Sequence, residues 1–387
     1  MSTRRVLIRT IPPTSNANYG GLLQAWALQQ FLSDHSILAI VDSSRPLTNA
    51  RLRRAPRVIT REVAVRILPK GLMPPRVVRS QMLKRASRPL LRFAVDQIET
   101  ASVLNLRGNI RRRFRAMFDA YLVGSDQVWR PEMSDVPLNL FDFVAPSDSA
   151  PRISYAASFG TDTREFDERL IRYTRPLARR LSSISVRERS AVDLVRDYWG
   201  IHAETHIDPT LLLPRERYRL LFETTEPPVP AGSLVDYVLD DNPAVRSVIG
   251  EVSGHWGGGS FSIIPGLPEW RDFRRNQARF DWASVEQWLK AFDSAGFVVT
   301  DSFHGTAFAI LNNVPFISVD NPGRGSTRFR NLLETFGLQD RLVRPGDRVP
   351  RQLVRARIDW DSVNRRLDYE RERSTAYLLR ALGVGAK

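Results

Sequence analysis

The chain of 387 residues contains no cysteine. That excludes disulfide scaffolds, cysteine zinc sites, iron–sulfur clusters and thiol nucleophiles. No apolar run approaches the roughly 18 residues that cross a bilayer. The opening MSTRRVLIRTIPP lacks the apolar stretch of a signal peptide. Together these absences predict a cytoplasmic protein. Lysine is scarce as well: Lys70, Lys84, Lys290 and Lys387 are the four lysines among 57 basic residues, an arginine bias typical of GC-rich genomes. No histidine–carboxylate group has zinc spacing, and neither G-x-G-x-x-G nor a P-loop lysine is present. No serine–histidine pair has nucleophile-elbow context. Neither a metal nor a resident cofactor is expected.

Positive charge is in excess, with a formal net of +15, and it is not spread evenly. Fourteen basic residues and a single acid, Glu62, lie between Arg45 and Arg92, so this stretch carries +13 and the rest of the chain +2. A basic footprint suits nucleic acid. Aromatics that stack on bases are nearly absent from it, however, with Phe93 just outside, so no nucleic acid is expected as a partner. A basic, partly apolar segment fits peripheral contact with the anionic inner face of a membrane. A solvated arginine-rich insertion is the alternative. Prolines at 46, 56, 69, 74, 75 and 89 divide it into short helices or an excursion from the domain.

The chain as a whole has a composition normal for a folded soluble protein, 42% hydrophobic and 26% charged. Its length predicts two domains. Short apolar or β-branched runs at 5–11, 36–41, 120–123, 153–157, 183–186 and 203–207 alternate with helical patterns at 22–31, 168–181 and 190–199. After the proline-rich stretch 214–232, a second such set runs from 234 to 336, and 365–382 reads as a closing helix. The predicted fold is α/β, with two Rossmann-like domains facing a cleft in the glycosyltransferase-B manner. Residues 1–225 form the N-terminal domain, including the basic segment 45–92. Residues 226–360 form the C-terminal domain, and 361–387 the closing helix. Ligands of such sheets bind beyond the carboxyl ends of the strands.

Four segments there could carry chemistry. In Phe297–Thr306 a buried strand ends in Thr-Asp-Ser, and a helix starts near His304, Gly305 and Thr306. Such a terminus attracts anions. Ser302 can cap it, Gly305 can let an anion approach the backbone, and His304 can move a proton near neutral pH. A packed histidine beside a capping residue is the alternative. In Ser185–Ser190, Arg187 stands at a strand's carboxyl end, suited to phosphate or carboxylate, or to a plain exposed pair with Glu188. Residues 16–21, containing Asn18, Tyr19 and Gly20, read as a phosphate-cradling turn or a helix cap. In Gly124–Trp129, Asp126 can bind a hydroxyl or act as a base and Trp129 can stack on a sugar. The pair can equally be a cap beside a core tryptophan.

The segments Asn18–Gly21 with Leu23–Leu28, Val123–Trp129, Ser154–Gly160, Ser185–Glu188, Asp208–Thr210, and Val299–Thr306 with Pro315-Phe316 resemble, in this order, the polysaccharide pyruvyl transferase family. The resemblance runs over about residues 5–340 and leaves 45–92 outside the matching motifs. It implies a glycosyltransferase-B-like fold, with phosphoenolpyruvate as donor substrate and a saccharide, in a polysaccharide or lipid-linked glycan, as acceptor. The pyruvyl group would go onto two hydroxyls of one sugar as a ketal, with phosphate released. His304 and Arg187 match residues important in the family. Arg324 or Arg328 stands where some members carry a lysine. On this reading His304 and Arg187 are catalytic, and Ser302, Gly305, Thr306 and Arg324 or Arg328 bind the donor. Asn18, Tyr19, Gly20, Asp126 and Trp129 line the acceptor side. A nucleotide-sugar glycosyltransferase on the same fold is the alternative, and a basic anionic-surface or nucleic-acid binding protein a more distant one.

Overall fold

The computed structural model describes residues 3–13, 18–45, 75–264, 280–321, 323 and 325–385. Two parallel sheets form its frame. The first contains β1 (Arg4–Arg9), β2 (Ile37–Asp42), β3 (Thr100–Ala101), β4 (Ala120–Val123), β5 (Arg152–Ala157), β6 (Ser183–Val186) and β7 (Glu204–Thr205). Their spatial order is β3-β2-β1-β4-β5-β6-β7. Val6, Leu7 and Ile8 of β1 are fully buried, as a central strand covered on both faces requires. The second sheet contains β8 (Leu234–Tyr237), β9 (Ser260–Ser262), β10 (Phe297–Thr300), β11 (Phe316–Val319) and β12 (Leu342–Val343), in the order β12-β11-β10-β8-β9. The strand order reverses at β1/β4 in one sheet and at β8/β10 in the other, and such switch points open a crevice beyond the strand ends. This is the α/β architecture of two Rossmann-like domains read from the alternation of strands and helices.

The principal helices are α1 (Tyr19–Asp34), α2 (Pro75–Ala86), α3 (Arg88–Gln97), α4 (Glu168–Ala178), α5 (Arg189–Trp199) and α6 (Pro209–Leu212) in the first half. They continue with α7 (Pro243–Trp256), α8 (Val285–Ser294), α9 (Phe303–Leu311), α10 (Ser326–Phe336) and α11 (Trp360–Ala381). Local sequence sets several starts. Asn18 caps α1 by accepting from Gly20 N at 3.0 Å, and Ser284 and Gln287 form a reciprocal capping box on α8. The end of the basic segment folds as α2 and α3. Leu90, Phe93 and Ala94, at helical spacing, bury α3 in the core, while Arg79, Lys84, Arg88 and Arg92 stay exposed. Residues 46–74 of that segment lie outside the described residues, as do Asn16 and Ala17 of the loop before α1.

The domains meet through apolar and polar contacts. Tyr19, fully buried, stacks on Trp288 with ring centroids 5.3 Å apart, and its hydroxyl donates to Ala283 O at 2.6 Å. Trp26 packs on Tyr218, and Tyr218 on Phe308 of α9. The long helix α11 returns to the first domain, where Tyr377 Oη donates to Ser154 O at 2.9 Å and Arg371 Nε to Leu211 O at 2.8 Å. Among the described residues no helix is long and apolar enough to cross a membrane.

Candidate active site

The carboxyl ends of β4, β6 and β7 and the start of α9 converge on one buried carboxylate, Asp208. It follows β7 and caps α6, with Oδ1 accepting from the Thr210 amide at 3.0 Å and the Thr210 hydroxyl at 2.8 Å. That fixes the ring of contacts around Oδ2. Ser125 Oγ donates to it at 2.8 Å, Arg187 Nη1 at 2.7 Å, and His304 Nε2 stands 3.7 Å away, in ion-pair range but beyond a hydrogen bond. Burial alone would push this carboxyl up. His304, Arg187 and the Thr210 amide outweigh it and hold Asp208 well below the usual carboxylate range. Burial likewise opposes the charge on Arg187, but Asp208, Glu188 and Asp126 overcome it and raise the guanidinium further. Arg187 is buried, not the exposed partner of Glu188 that its neighbour in sequence suggested: Glu188 Oε2 is 3.8 Å from Nε.

Glu188 serves the turn instead. Its Oε1 accepts from Ser158 Oγ at 2.8 Å and from the amides of Phe159 at 3.1 Å and Gly160 at 3.4 Å. The guanidinium of Arg187 lies over the ring of Phe303, 4.2 Å from its centroid. A second buried guanidinium, Arg328 on α10, approaches from the other domain. Its pKa is pushed down to about 10, first by burial and then by Arg187, while Asp126 and Glu188 oppose the shift. Two guanidiniums within range of mutual repulsion thus stand among three buried carboxylates, Asp208, Glu188 and Asp126. Several donors in this cluster are buried without a hydrogen bond: Arg187 Nε and Nη2, and His304 Nε2. Buried polar groups are nearly always partnered in native proteins, so these atoms keep hydrogen-bonding capacity for further polar atoms.

The sequence-predicted residues fall into two groups. His304, Arg187 and Arg328 come together, and Gly20 touches them, because a Cβ there would lie 1.9 Å from His304 Nδ1. Only a glycine lets α1 close against that ring. Asp126, buried and within electrostatic range of both arginines, adopts the left-handed region at φ 76°, an uncommon conformation for a residue with a side chain. Asn18 is the half-buried cap of α1. Arg324 lies outside the described residues.

Four expectations need correction. Trp129 is fully buried between Phe159 and Trp199, ring centroids 5.4 and 5.0 Å away, so it is a core residue and presents no face to a sugar. Tyr19 spends its ring and hydroxyl on the domain interface and lines no acceptor surface. The helix start at Gly305-Thr306 does not offer its amides. Gly305 N goes to Ser302 Oγ at 3.4 Å and Thr306 N to Ser302 O at 2.9 Å, so Ser302 is committed to capping. Gly305 is instead required by packing, since a Cβ would meet Thr300 Oγ1 at 2.3 Å. Thr306 is fully buried, with its hydroxyl 2.7 Å from Ser318 Oγ.

Sequence reasoning gave no role to Asp208, Ser125 or Asn331. Asp208 left a signal, an acid at a strand's carboxyl end in Asp-Pro-Thr. Asn331 left none. It sits mid-helix in α10, yet its Oδ1 accepts from Arg189 N and its Nδ2 donates to Arg187 O, each at 3.1 Å, clamping the arginine turn from the opposite domain. Among the described residues no group of three His, Asp or Glu side chains could hold a metal ion.

Two Rossmann-like domains close on a buried arginine–histidine–carboxylate cluster. The profile of the polysaccharide pyruvyl transferase family matches residues 18–323, and the chain belongs to that family. A search of curated proteins finds no match. Among solved structures, MurG of Acinetobacter baumannii aligns over 98% of this chain and 99% of its own, at 10% identity and a TM-score of 0.45. The UDP-GlcNAc 2-epimerase of Neisseria meningitidis, bound to UDP-GlcNAc, aligns over 98% of each chain at 10% identity and a TM-score of 0.41. CalG4, the calicheamicin glycosyltransferase, aligns over 100% of each at 13% identity and a TM-score of 0.39.

Proposed function

We propose that the protein transfers the pyruvyl group of phosphoenolpyruvate to two hydroxyls of one sugar, forming a ketal and releasing phosphate. The observation that carries this reading is the set of buried nitrogens without a hydrogen bond, Arg187 Nε and Nη2 and His304 Nε2, grouped beside Asp208 with Arg328 close by. A donor with a carboxylate and a phosphate needs two cationic clamps, and a reaction at an enol carbon needs one mobile proton. The first sugar hydroxyl attacks C2 as His304 delivers a proton from Nε2 to C3, turning the methylene into a methyl. The second hydroxyl then displaces phosphate from C2. Of the two hydroxyl protons, one replaces that spent on C3 and the other leaves with the phosphate, so charge and atoms balance. Asp208 remains a carboxylate throughout, holding Arg187 and stabilising the imidazolium. Asp126 and Asn18 are assigned to the acceptor side.

The test is incubation with phosphoenolpyruvate and a panel of lipid-linked and soluble sugars, read by mass spectrometry and by phosphate release. Product with a pyruvyl group gained and water lost, without consumption of any nucleotide sugar, is the expected outcome. Sugar transfer from a nucleotide donor in its place would overturn the reading. No metal or resident cofactor is assigned to the chemistry. We place the protein in the cytoplasm, with residues 45–92 bringing it to an anionic membrane that carries a lipid-linked acceptor, in line with the exposed Arg79, Lys84, Arg88 and Arg92. Deleting 46–74 should weaken binding to phosphatidylserine-containing vesicles and spare activity on soluble acceptors. Unchanged vesicle binding would sink that part.

A further inference from the structure

Arg187 also borders a second space. A recess of ≈ 220 Å³ opens between the ends of β6 and β7 and the helices α10 and α11, with Arg187, Asp208 and Phe303 as its floor. Neither His304 nor Arg328 lines it. Its walls carry Arg189 and Arg366, two exposed arginines whose side chains make no ion pair among the described residues. Arg373, also at its edge, is held by Glu370 at 2.8 Å. Glu334 is an acid on the rim without such a partner, so the free groups leave the mouth positive. Asn331 and Thr335 add neutral polar lining. The volume is below the roughly 300–1,000 Å³ of sites for drug-sized ligands. It has room for a small oxyanion.

We propose that this recess is a second anion site that takes inorganic phosphate, the product of the transfer proposed above, on which this inference rests. The recess shares Arg187 and Asp208 with the cluster where phosphate would be set free, and two guanidiniums without carboxylates stand in its walls. Planar guanidinium forks match phosphate oxygens in pairs, and a positive rim concentrates anions in a polar recess.

The test is titration of inorganic phosphate into the purified full-length protein and the Arg189→Gln/Arg366→Gln double variant, by calorimetry or phosphorus-31 line broadening. Phosphoenolpyruvate is titrated in parallel. Both residues are exposed and unpaired, so the variant is expected to fold with an unchanged melting temperature. Phosphate affinity should fall about tenfold in the variant, with that for phosphoenolpyruvate changed less than twofold. Equal loss for both ligands would make the recess part of the donor site and overturn the proposal. Unchanged phosphate affinity would overturn it too. If the wild type binds phosphate through these arginines yet never transfers a pyruvyl group, the functional reading fails while the site stands.

Discussion

Replacing Asp208 by asparagine removes one charge from a fully enclosed site with almost no change of shape. The Oδ1 contacts to Thr210 survive in the amide. The other end turns from acceptor to donor and faces Arg187 Nη1, formerly 2.7 Å from Oδ2, and Ser125 Oγ, formerly at 2.8 Å. Removing one partner of a buried ion pair costs about 3–5 kcal/mol. Glu188, 3.8 Å from Arg187 Nε, keeps the arginine partly compensated and sets the value near the lower end. At roughly 2 °C per kcal/mol for a large domain, a loss of about 3 kcal/mol lowers the melting temperature by about 6 °C. Turnover suffers more, because His304 loses the anion that supports its protonated form; general acid–base catalysis is worth ~10²–10⁴-fold, and kcat should fall by at least ~10²-fold. The pH dependence follows from the direction of the Asp208 shift. Its folded pKa is depressed, so its stabilisation is complete above the unfolded value of about 4 and is lost as pH falls below it. The gap in melting temperature between wild type and variant should therefore be constant near neutrality and narrow below about pH 4. Differential scanning calorimetry across pH 3–8 with kcat at pH 7 decides the matter. A variant that melts with the wild type at pH 7 and turns over at more than a tenth of its rate refutes the role given to this carboxylate.

Gly20→Ala places a methyl carbon 1.9 Å from His304 Nδ1 and should depress kcat more than ~10²-fold for a stability cost of only about 1–3 kcal/mol, compared by turnover and calorimetry. Asn331→Leu breaks both bonds to the Arg187–Arg189 backbone, and at about 1 kcal/mol each should cost about 2 kcal/mol and raise the donor KM, measured by denaturant unfolding and steady-state kinetics. Arg328→Ala should raise the donor KM ~10-fold or more while relieving repulsion on Arg187, with Arg328→Lys restoring only part of the affinity. His206, packed against Tyr377 with ring centroids 4.5 Å apart, has its pKa pushed down to about 4 by burial, then by Arg373 and Arg380 against the opposing Glu204. Its unfolded form takes up a proton first, so stability should drop as pH falls from about 6.5 to 4, and His206→Phe should flatten that part of the melting-temperature profile.

Much of the framework was legible because parallel strands buried on both faces read as short β-branched runs. The helices between them announce themselves by caps such as Ser284 and Gln287. The strand ends then pointed to Arg187 and His304. What the sequence could not separate was which way an aromatic faces. Trp129 lies in the loop after β4 and Tyr19 opens α1, two places where a sugar platform and a core ring have the same local signature. Only the partners from residues 159 and 199, or 283 and 288, distinguish them. Gly305 misled for a related reason, since a glycine at a helix start serves anion approach and tight packing equally well. Asp208 draws its meaning from residues 125, 187 and 304, and no local pattern encodes that convergence.

The bond from Tyr377 to Ser154 spans 223 residues of sequence. A ribosome adding roughly 5–20 residues per second needs about 11–45 s to bridge that interval. During that time the first domain waits with the surface that α11 will cover still open, and the carbonyls of Leu211 and Leu213 still without Arg371. Its folding as an autonomous unit is therefore incomplete until the second domain has been made. The timing of synthesis, and not only the final energy, favours a chain whose two halves mature together.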